Sequence, residues 1–486
     1  VGAIDRSSPV VRGSETLPLA SGAGAPAGLH RARPARTTIV PWLFSGSFLF
    51  LAMGCVSLPD LDEYSEWITF PDPKSERVRG APRTGVPGDR APTAEAPDIL
   101  TRQLAFQEHL VGSPPRQGNR ATLLQDGTET YRAMAAAIRQ AKDHVHLETY
   151  IFDDDETGHG FAELLIEKRR QGVQVSLIYD GIGSIDTPKQ FFQRLKTNGV
   201  RVLEFNPVSR PWNVNQRDHR KLLIVDGRVA FLGGINISNV YSRGSVSRRV
   251  YPTPREQVAQ WRDTHVQIEG PAVADFQRLF LNTWIRLDGK PPPGNHFPPP
   301  VTRGADTVHA VGSGVDQPHR MIYLVLISAI LNAKSHIYIT NAYFVPDVQF
   351  MRALKTAARR GVDVRLLFPS QTDFWLVFHA GRSHYTELLE AGVKIYERRG
   401  AVLHSKTLLI DGVWSCIGTT NLDWRSFLHN NEVDAVVVGE DFGRRMHAMF
   451  VRDLEQSDRI ELKHWRERPF ATKFKERFSW LWEYWL

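Results

Sequence analysis

Apolar and polar positions divide this chain into blocks of different pattern. Residues 1–38 are rich in Gly, Ala, Pro and Arg without a sustained period, which predicts a disordered N-terminus. Residues 39–55 open with a mostly apolar, uncharged run, IVPWLFSGSFLFLAMG, and end at Cys55. The run is shorter than the roughly 20 residues of a spanning helix and closer to a signal-peptide core. It is expected to be a signal peptide or membrane anchor. Residues 56–102 are rich in Pro, Gly and charge and read as a linker. Helical patterns then alternate with short β-branched runs over 103–290 and again over 311–462, and the segment 291–310, which follows Lys290 and holds most of KPPPGNHFPPP, separates the two. Such alternation predicts an α/β fold with a largely parallel sheet.

The two α/β stretches repeat each other. Ala137-Ile-Arg-Gln-Ala-Lys-Asp-His-Val-His-Leu147, followed by Tyr150-Ile-Phe152, matches Ala329-Ile-Leu-Asn-Ala-Lys-Ser-His-Ile-Tyr-Ile339, followed by Tyr343-Phe-Val345. Arg169-Arg-Gln-Gly-Val-Gln-Val175 matches Arg359-Arg-Gly-Val-Asp-Val364, and Asn198-Gly-Val-Arg-Val202 matches Ala391-Gly-Val-Lys-Ile395. Agreement at so many ordered positions excludes two unrelated domains that share generic patterning.

Each copy ends in the same constellation. His219-Arg-Lys221 leads to Asp226-Gly227, Gly233-Gly234 and Asn236; His404-Ser-Lys406 leads to Asp411-Gly412, Gly418-Thr419 and Asn421. The run from His onward alternates and is β-branched, so it is predicted to be a strand, with His219 and Lys221 on one face and His404 and Lys406 likewise. Asp226 and Asp411 fall on the opposite parity before Gly, a hairpin signal, and are expected to be turn and scaffold residues. Pseudo-twofold packing of the halves brings both pairs to one interface. Two imidazoles, two ammonium groups and the Asn236 and Asn421 amides in one pocket suit a phosphodiester. One imidazole can attack phosphorus while the other protonates the leaving oxygen.

Composition narrows the partners only a little. The net charge of +7 and pI near 9.3 favour an anionic partner without choosing among nucleic acid, lipid and phosphate ester. The two cysteines, Cys55 and Cys416, exclude a disulfide framework and a Cys-based zinc site. No carboxylate–histidine spacing marks a metal site, so neither metal nor cofactor is expected.

The doubled pattern H-x-K-x4-D-x6-G-[GST]-x-N resembles the signature of the phospholipase D superfamily, over about Gln117 to Ile460. Tyr131-Arg-Ala-Met134, Glu148-Thr-Tyr150, Trp261-Arg-Asp-Thr264, Asn341-Ala-Tyr-Phe344, Asn421-Leu-Asp-Trp-Arg-Ser426 and Asn430-Asn-Glu432 are similar to bacterial cardiolipin synthases, the B-type subfamily most of all. The resemblance implies two tandem α/β repeats around one active site and a phosphohistidine intermediate formed without metal. It assigns His219 as nucleophile and His404 as acid and then base, although near-symmetry permits the reverse. It also implies that Asp263 and Glu432 are carboxylates behind the histidines. Gly234 stands where many members have Ser, while Thr419 keeps a hydroxyl; one phosphate contact is then missing or replaced by backbone.

Three further features concern a membrane. Residues 463–486 are basic and aromatic, with Phe474, Phe478, Leu481 and Trp485 at helical spacing, which predicts an interfacial tail against the alternative of a helix packed on the core. Cys55 follows Leu51-Ala-Met-Gly and resembles a bacterial lipoprotein lipidation site, with an uncleaved anchor as the alternative. Arg31, Arg33 and Arg36 precede the apolar run, placing the catalytic body on the periplasmic side of a bacterial inner membrane. Arg243 to Arg255 is read either as a contact to a second headgroup or as a solvated loop. The expected activity is a membrane-associated phosphatidyltransferase that makes cardiolipin from phosphatidylglycerol and a second phospholipid. The alternative is hydrolysis of a phospholipid or, less in keeping with the apolar segments, a nucleic acid; a non-catalytic lipid-binding scaffold is opposed by both complete motifs.

Overall fold

The β-branched runs that alternate in the sequence become the strands of a single sheet in the computed structural model. The structure describes residues 57–64, 68, 99–209, 213–242, 261–314 and 320–486. The expected disordered N-terminus, the 39–55 anchor with Cys55, and the Arg243–Arg255 loop lie outside them.

The strands are β1 (Arg116–Gln125), β2 (His144–Thr149), β3 (Gln174–Asp180), β4 (Arg201–Phe205), β5 (Leu222–Val225), β6 (Val229–Gly233), β7 (Thr264–Glu269), β8 (Asp306–Ser313), β9 (His336–Asn341), β10 (Asp363–Pro369), β11 (Lys394–Arg398), β12 (Lys406–Ile410), β13 (Trp414–Gly418), β14 (Asn430–Val438) and β15 (Ser457–Ile460). They follow one another in the 16-stranded sheet as β15-β11-β10-β9-β12-β13-β14-β8-β1-β7-β6-β5-β2-β3-β4, with the short strand Arg217–Asp218 paired to β14. Read from the β8–β1 contact outward, the two halves have the same order. Antiparallel β1 and β8 are the seam of a pseudo-twofold arrangement.

Only the outer strands run parallel: β2 with β3, β3 with β4, β9 with β10, and β10 with β11. Each of these pairs is joined by a connection that contains a helix. The rest of this path is antiparallel, so the sheet is mixed rather than largely parallel. The physical reason is local. Asp226-Gly227 and Asp411-Gly412 turn the chain back within a tight hairpin, and a hairpin can only join antiparallel neighbours. Asp226 and Asp411 themselves adopt φ of 53° and 51°. Each carboxylate accepts three backbone N–H bonds, Asp226 from Lys142, Asp143 and His144 and Asp411 from Lys334, Ser335 and His336. Both aspartates therefore fix turns, as their parity indicated.

Two expected linkers are shorter than the sequence suggested. Leu61, Tyr64 and Ile68 are buried in the core of the second half, and helix α1 (Ile99–Val111) packs there too through Phe106 and Leu110. Leu61, Tyr64 and Ile68 stand at i, i+3 and i+7, a helical spacing masked by the Pro, Gly and charge of the surrounding segment. The segment after the first half ends at Asp306, where β8 begins, four residues earlier than 310. Helix α2 (Val273–Asp288) covers the first half, and α3 (Trp375–Ser383) covers part of the second. The tail folds as well: Trp465, Glu476 and Ser479 are buried, and α4 (Phe470–Trp480) lies against α3. Among the described residues no helix is long and apolar enough to cross a membrane.

Candidate active site

The sequence places His and Lys two apart on a predicted strand, but the strand breaks at the histidine. Arg217–Asp218 pairs in parallel with Asn430–Asn431 of the other half, and Val402–Leu403 pairs in parallel with Trp261–Arg262. The chain then leaves that partner and joins its own sheet at Leu222 and at Lys406. The His219 amide donates to the Asn431 carbonyl (3.0 Å), and the His404 amide to the Arg262 carbonyl (2.8 Å). The residue after each acceptor is a carboxylate. His219 Nδ1 sits 3.0 Å from both oxygens of Glu432, and His404 Nδ1 sits 2.8 Å from Asp263 Oδ2. Each half thus orients the other half's imidazole.

With Nδ1 committed to a carboxylate, Nε2 of each ring is left for chemistry, as a lone pair on a neutral ring or as an acid on an imidazolium. Burial pushes both imidazoles below their ordinary range, His219 well below it, and nearby Lys221 and Lys406 add to the effect. The carboxylates differ. Burial raises Glu432 to about 7 despite Lys221. Burial also acts against the charge of Asp263, but His404 and Lys406 hold it below the usual range.

Both histidines line one cavity of about 380 Å³, together with Asn236 and Asn421. Asn236 accepts from the Ile151 amide through Oδ1 and donates to the Tyr241 hydroxyl, while the Asn421 Oδ1 has no partner among the described residues. Lys221 and Lys406 lie behind the rings: each Nζ donates to the carbonyl of its own motif's histidine, at 2.6 and 2.5 Å. Burial lowers Lys221 to about 7 and Lys406 to about 8, which stores the capacity to gain positive charge when an anion enters.

Gly234 and Thr419 do not face the cavity. The Thr419 hydroxyl donates to Glu432 Oε2 (2.5 Å) and accepts from the Val433 amide. A Cβ added at Gly234 would lie 2.1 Å from Asp263 Oδ1. The departure from the family pattern therefore concerns how each carboxylate is supported, not a contact to phosphate. Aspartate, one methylene shorter than glutamate, occupies the space that a side chain at 234 needs.

Sequence reasoning missed other cavity residues. Tyr150 stands edge-on to His219 at 5.1 Å between ring centres, and Tyr343 edge-on to His404 at 6.3 Å. They are matched positions of the repeat, so the repeat itself held the signal. Arg217, Arg425 and Asp373 also line the cavity and lack counterparts in the repeat; only Arg425 fell within a family-like motif, Asn421-Leu-Asp-Trp-Arg-Ser426, and that motif gave it no role.

Comparison with known proteins agrees with this geometry. The family model described as "Cardiolipin synthase, PLD-like domain" matches residues 134–245 and 326–454, one segment in each half. A cardiolipin synthase of Halalkalibacterium halodurans is 38% identical over 77% of this chain and 74% of its own length. The chain belongs to the cardiolipin synthase family. A family relative from Geobacillus kaustophilus is 37% identical over 75% of this chain and 72% of its own length. Among solved structures, phosphatidylserine synthase of Haemophilus influenzae shares the fold, with a TM-score of 0.60 at 13% identity, over 79% of this chain and all of that one. Family membership places the chain among the phosphatidyltransferases of the phospholipase D superfamily, with both H-x-K motifs inside the matched segments.

Proposed function

We propose that this enzyme transfers a phosphatidyl group from phosphatidylglycerol to the hydroxyl of a second phospholipid and so makes cardiolipin. The observation that carries the reading is two imidazoles lining one cavity, each held through Nδ1 by a carboxylate from the other half. His219 Nε2 attacks phosphorus and forms the phosphorus–nitrogen bond. The bond from phosphorus to the glycerol oxygen breaks, and His404, which enters the cycle as the imidazolium paired with Asp263, gives that oxygen its Nε2 proton. His404 then takes the proton of the acceptor hydroxyl, whose oxygen displaces His219 and completes the diester.

Two features support this division of labour. His219 lies well below the ordinary imidazole range and so remains an unprotonated nucleophile. His404 is backed by Asp263, the carboxylate that stays charged, which favours the imidazolium that an acid and base must form. Lys221 and Lys406 add positive charge in a dry pocket, where it stabilises the pentacoordinate transition state most strongly.

The tail supports a membrane location. Phe470, Phe474, Phe478 and Leu481 are 81%, 61%, 45% and 66% exposed, while the opposite side of α4 is buried. Phe374 and Trp375, at the start of α3, are exposed too, and Phe374 and Leu486 line the active-site cavity. This apolar ridge beside the cavity, with Lys473, Lys475 and Arg477 along it, fits the headgroup layer of an anionic bilayer. The body is assigned to the periplasmic face of the inner membrane, on the charge asymmetry around residues 39–55. A reporter active only in the periplasm tests that side; activity of a cytoplasmic reporter alone would reverse it.

The chemical test is purified enzyme with labelled phosphatidylglycerol in vesicles. Cardiolipin and free glycerol are expected. Phosphatidic acid as the only lipid product would replace the transferase with a hydrolase.

A further inference from the structure

A second cluster of chemistry-bearing side chains lies in the first half, outside the cavity just described. His144 and His146 are two apart on β2, so both rings point to the same face of the sheet. That face is covered by α2, and His296 reaches it from the irregular segment between the halves. All three are buried, and one nitrogen from each ring lies within 4.8 Å of one from the others. The ring centres of His144 and His146 are 4.5 Å apart, and His296 stands 5.1 and 5.0 Å from them.

The outer hydrogen bonds of the cluster are those of metal-ligating imidazoles. His144 Nδ1 lies 3.1 Å from Asp143 Oδ2, and His296 Nε2 lies 2.7 Å from the Pro292 carbonyl. Each of these nitrogens must carry the proton, because its partner can only accept. The other nitrogen of each neutral ring is then a lone pair. Gln277 bridges the remaining positions, its Oε1 3.1 Å from His144 Nε2 and its Nε2 2.8 Å from His146 Nδ1. A lone pair at His144 Nε2 cannot face that oxygen, so the donor set requires the amide turned end for end, its NH2 toward His144 and its oxygen toward His146 Nδ1–H. His146 Nε2 is thereby a lone pair as well. His146 Nε2 and His296 Nδ1 have no hydrogen-bond partner among the described residues.

We propose that His144, His146 and His296 form a zinc site that ties the segment between the halves to β2. Nε2 of His144, Nε2 of His146 and Nδ1 of His296 are the donors, and a water completes the tetrahedron. Every opposite ring nitrogen then donates to an oxygen, of Asp143, Gln277 and Pro292, the arrangement that fixes ring orientation around a metal. Three neutral imidazoles suit a late first-row divalent ion, and Asp143 supplies nearby negative charge. Zinc–nitrogen bonds of about 2.0–2.1 Å need the donors about 3.4 Å apart, against ring nitrogens within 4.8 Å of one another here, so the rings must draw together. His296 can make that movement because its segment belongs to neither strand nor helix. Metal displaces the Gln277 NH2 from His144. The next residue, Phe297, lines an open hollow of about 470 Å³, which gives an entry route.

The test uses the full chain without a histidine tag, stripped by a chelator and titrated with Co²⁺ as a spectroscopic stand-in for Zn²⁺. One equivalent should produce the intense visible bands of a tetrahedral nitrogen site, and Zn²⁺ should bleach them and raise the unfolding temperature. His296→Gln should weaken binding at least 100-fold, and Asp143→Asn by about 10- to 100-fold. His404→Gln should bind as the parent does, which separates this cluster from the active site. His146→Gln removes a ring stacked on Phe280, so the two more peripheral variants carry the test even if it fails to fold. Absence of the bands at saturating Co²⁺, or parental affinity in His296→Gln, would overturn the site.

Discussion

Replacing Glu432 by glutamine should stabilise the fold above neutral pH while it impairs catalysis. Glu432 is fully enclosed, and burial raises its carboxyl from 4.5 to about 7 in the folded protein. The folded state thus holds the proton more tightly than the unfolded chain. That linkage contributes stability that is complete below 4.5 and is lost as pH rises through about 7. At about 1.4 kcal/mol per pH unit, the loss is roughly 3 kcal/mol by pH 8. Glutamine has the same shape, cannot ionise, and still offers an oxygen to His219 Nδ1 and to the Thr419 hydroxyl. Losing its charge removes an attraction to Lys221, but Lys221 is already lowered to about 7 and can shed its proton, so the penalty is limited. Urea unfolding at pH 5 and pH 8 measures the effect: the variant should gain about 1–3 kcal/mol relative to the parent at pH 8, and much less at pH 5. Turnover should fall by about 10²-fold or more, because an amide can present either its oxygen or its NH2 and no longer enforces one tautomer. A decrement in stability that is the same at both pH values, or turnover within a few-fold of the parent, would refute the reasoning.

Other substitutions test other parts of the argument. His219→Ala and His404→Ala should each abolish cardiolipin formation, and Lys221→Ala and Lys406→Ala should each lower it by about 10²-fold; near-normal activity in either histidine variant would break the single-site mechanism. Gly234→Ser, although it restores a residue common in the family, should displace Asp263 and lower turnover about 10- to 100-fold, and full activity in that variant would contradict the packing. Asp411→Ala leaves three backbone N–H groups without their acceptor and puts Ala at φ of 51°, so denaturant melts should show a loss of about 2–4 kcal/mol, with normal activity per folded molecule. Changing Phe474, Phe478 and Leu481 together to serine should leave thermal unfolding unchanged and weaken sedimentation with phosphatidylglycerol vesicles at least 10-fold; undiminished binding would remove the tail from the membrane contact.

The sequence disclosed what is repeated and hid what is unique. The matched His, Lys, Asp and Asn positions led directly to the two hairpins and to one cavity, since a repeat that buries a shared face implies a pseudo-twofold axis. The β-branched runs located strands but not their directions, because period-two alternation is the same in parallel and antiparallel ladders. The break at each H-x-K could not be read either. A histidine whose amide bonds to the opposite half looks, in a single chain, like one more alternating residue. Leu61, Tyr64 and Ile68 join the core at i, i+3 and i+7, a run too short to stand out against the Pro, Gly and charge around it. Arg217 and Arg425 belong to one half each, so the comparison of repeats was silent about them. The cluster of His144, His146 and His296 joins positions about 150 residues apart, and only the sheet and its cover of α2 bring them together.

The crosswise arrangement explains why two nearly equivalent motifs can do unequal work. If each half oriented its own histidine, each would be a complete but solitary imidazole. Here the amide of His219 and its Nδ1 both answer to residues 431 and 432, and those of His404 to residues 262 and 263. Neither ring is positioned until both halves are folded and joined, so the two histidines are assembled by the same event. Symmetry then sets the geometry, and departures from it set the chemistry. Thr419 supports a longer carboxylate that gains a proton near pH 7; Gly234 makes room for a shorter one that stays charged beside His404. The proposed transfer needs one ring that remains a bare nucleophile and another that accepts and returns a proton. Changing the carboxylates behind the rings achieves this difference without moving either ring from its place in the cavity.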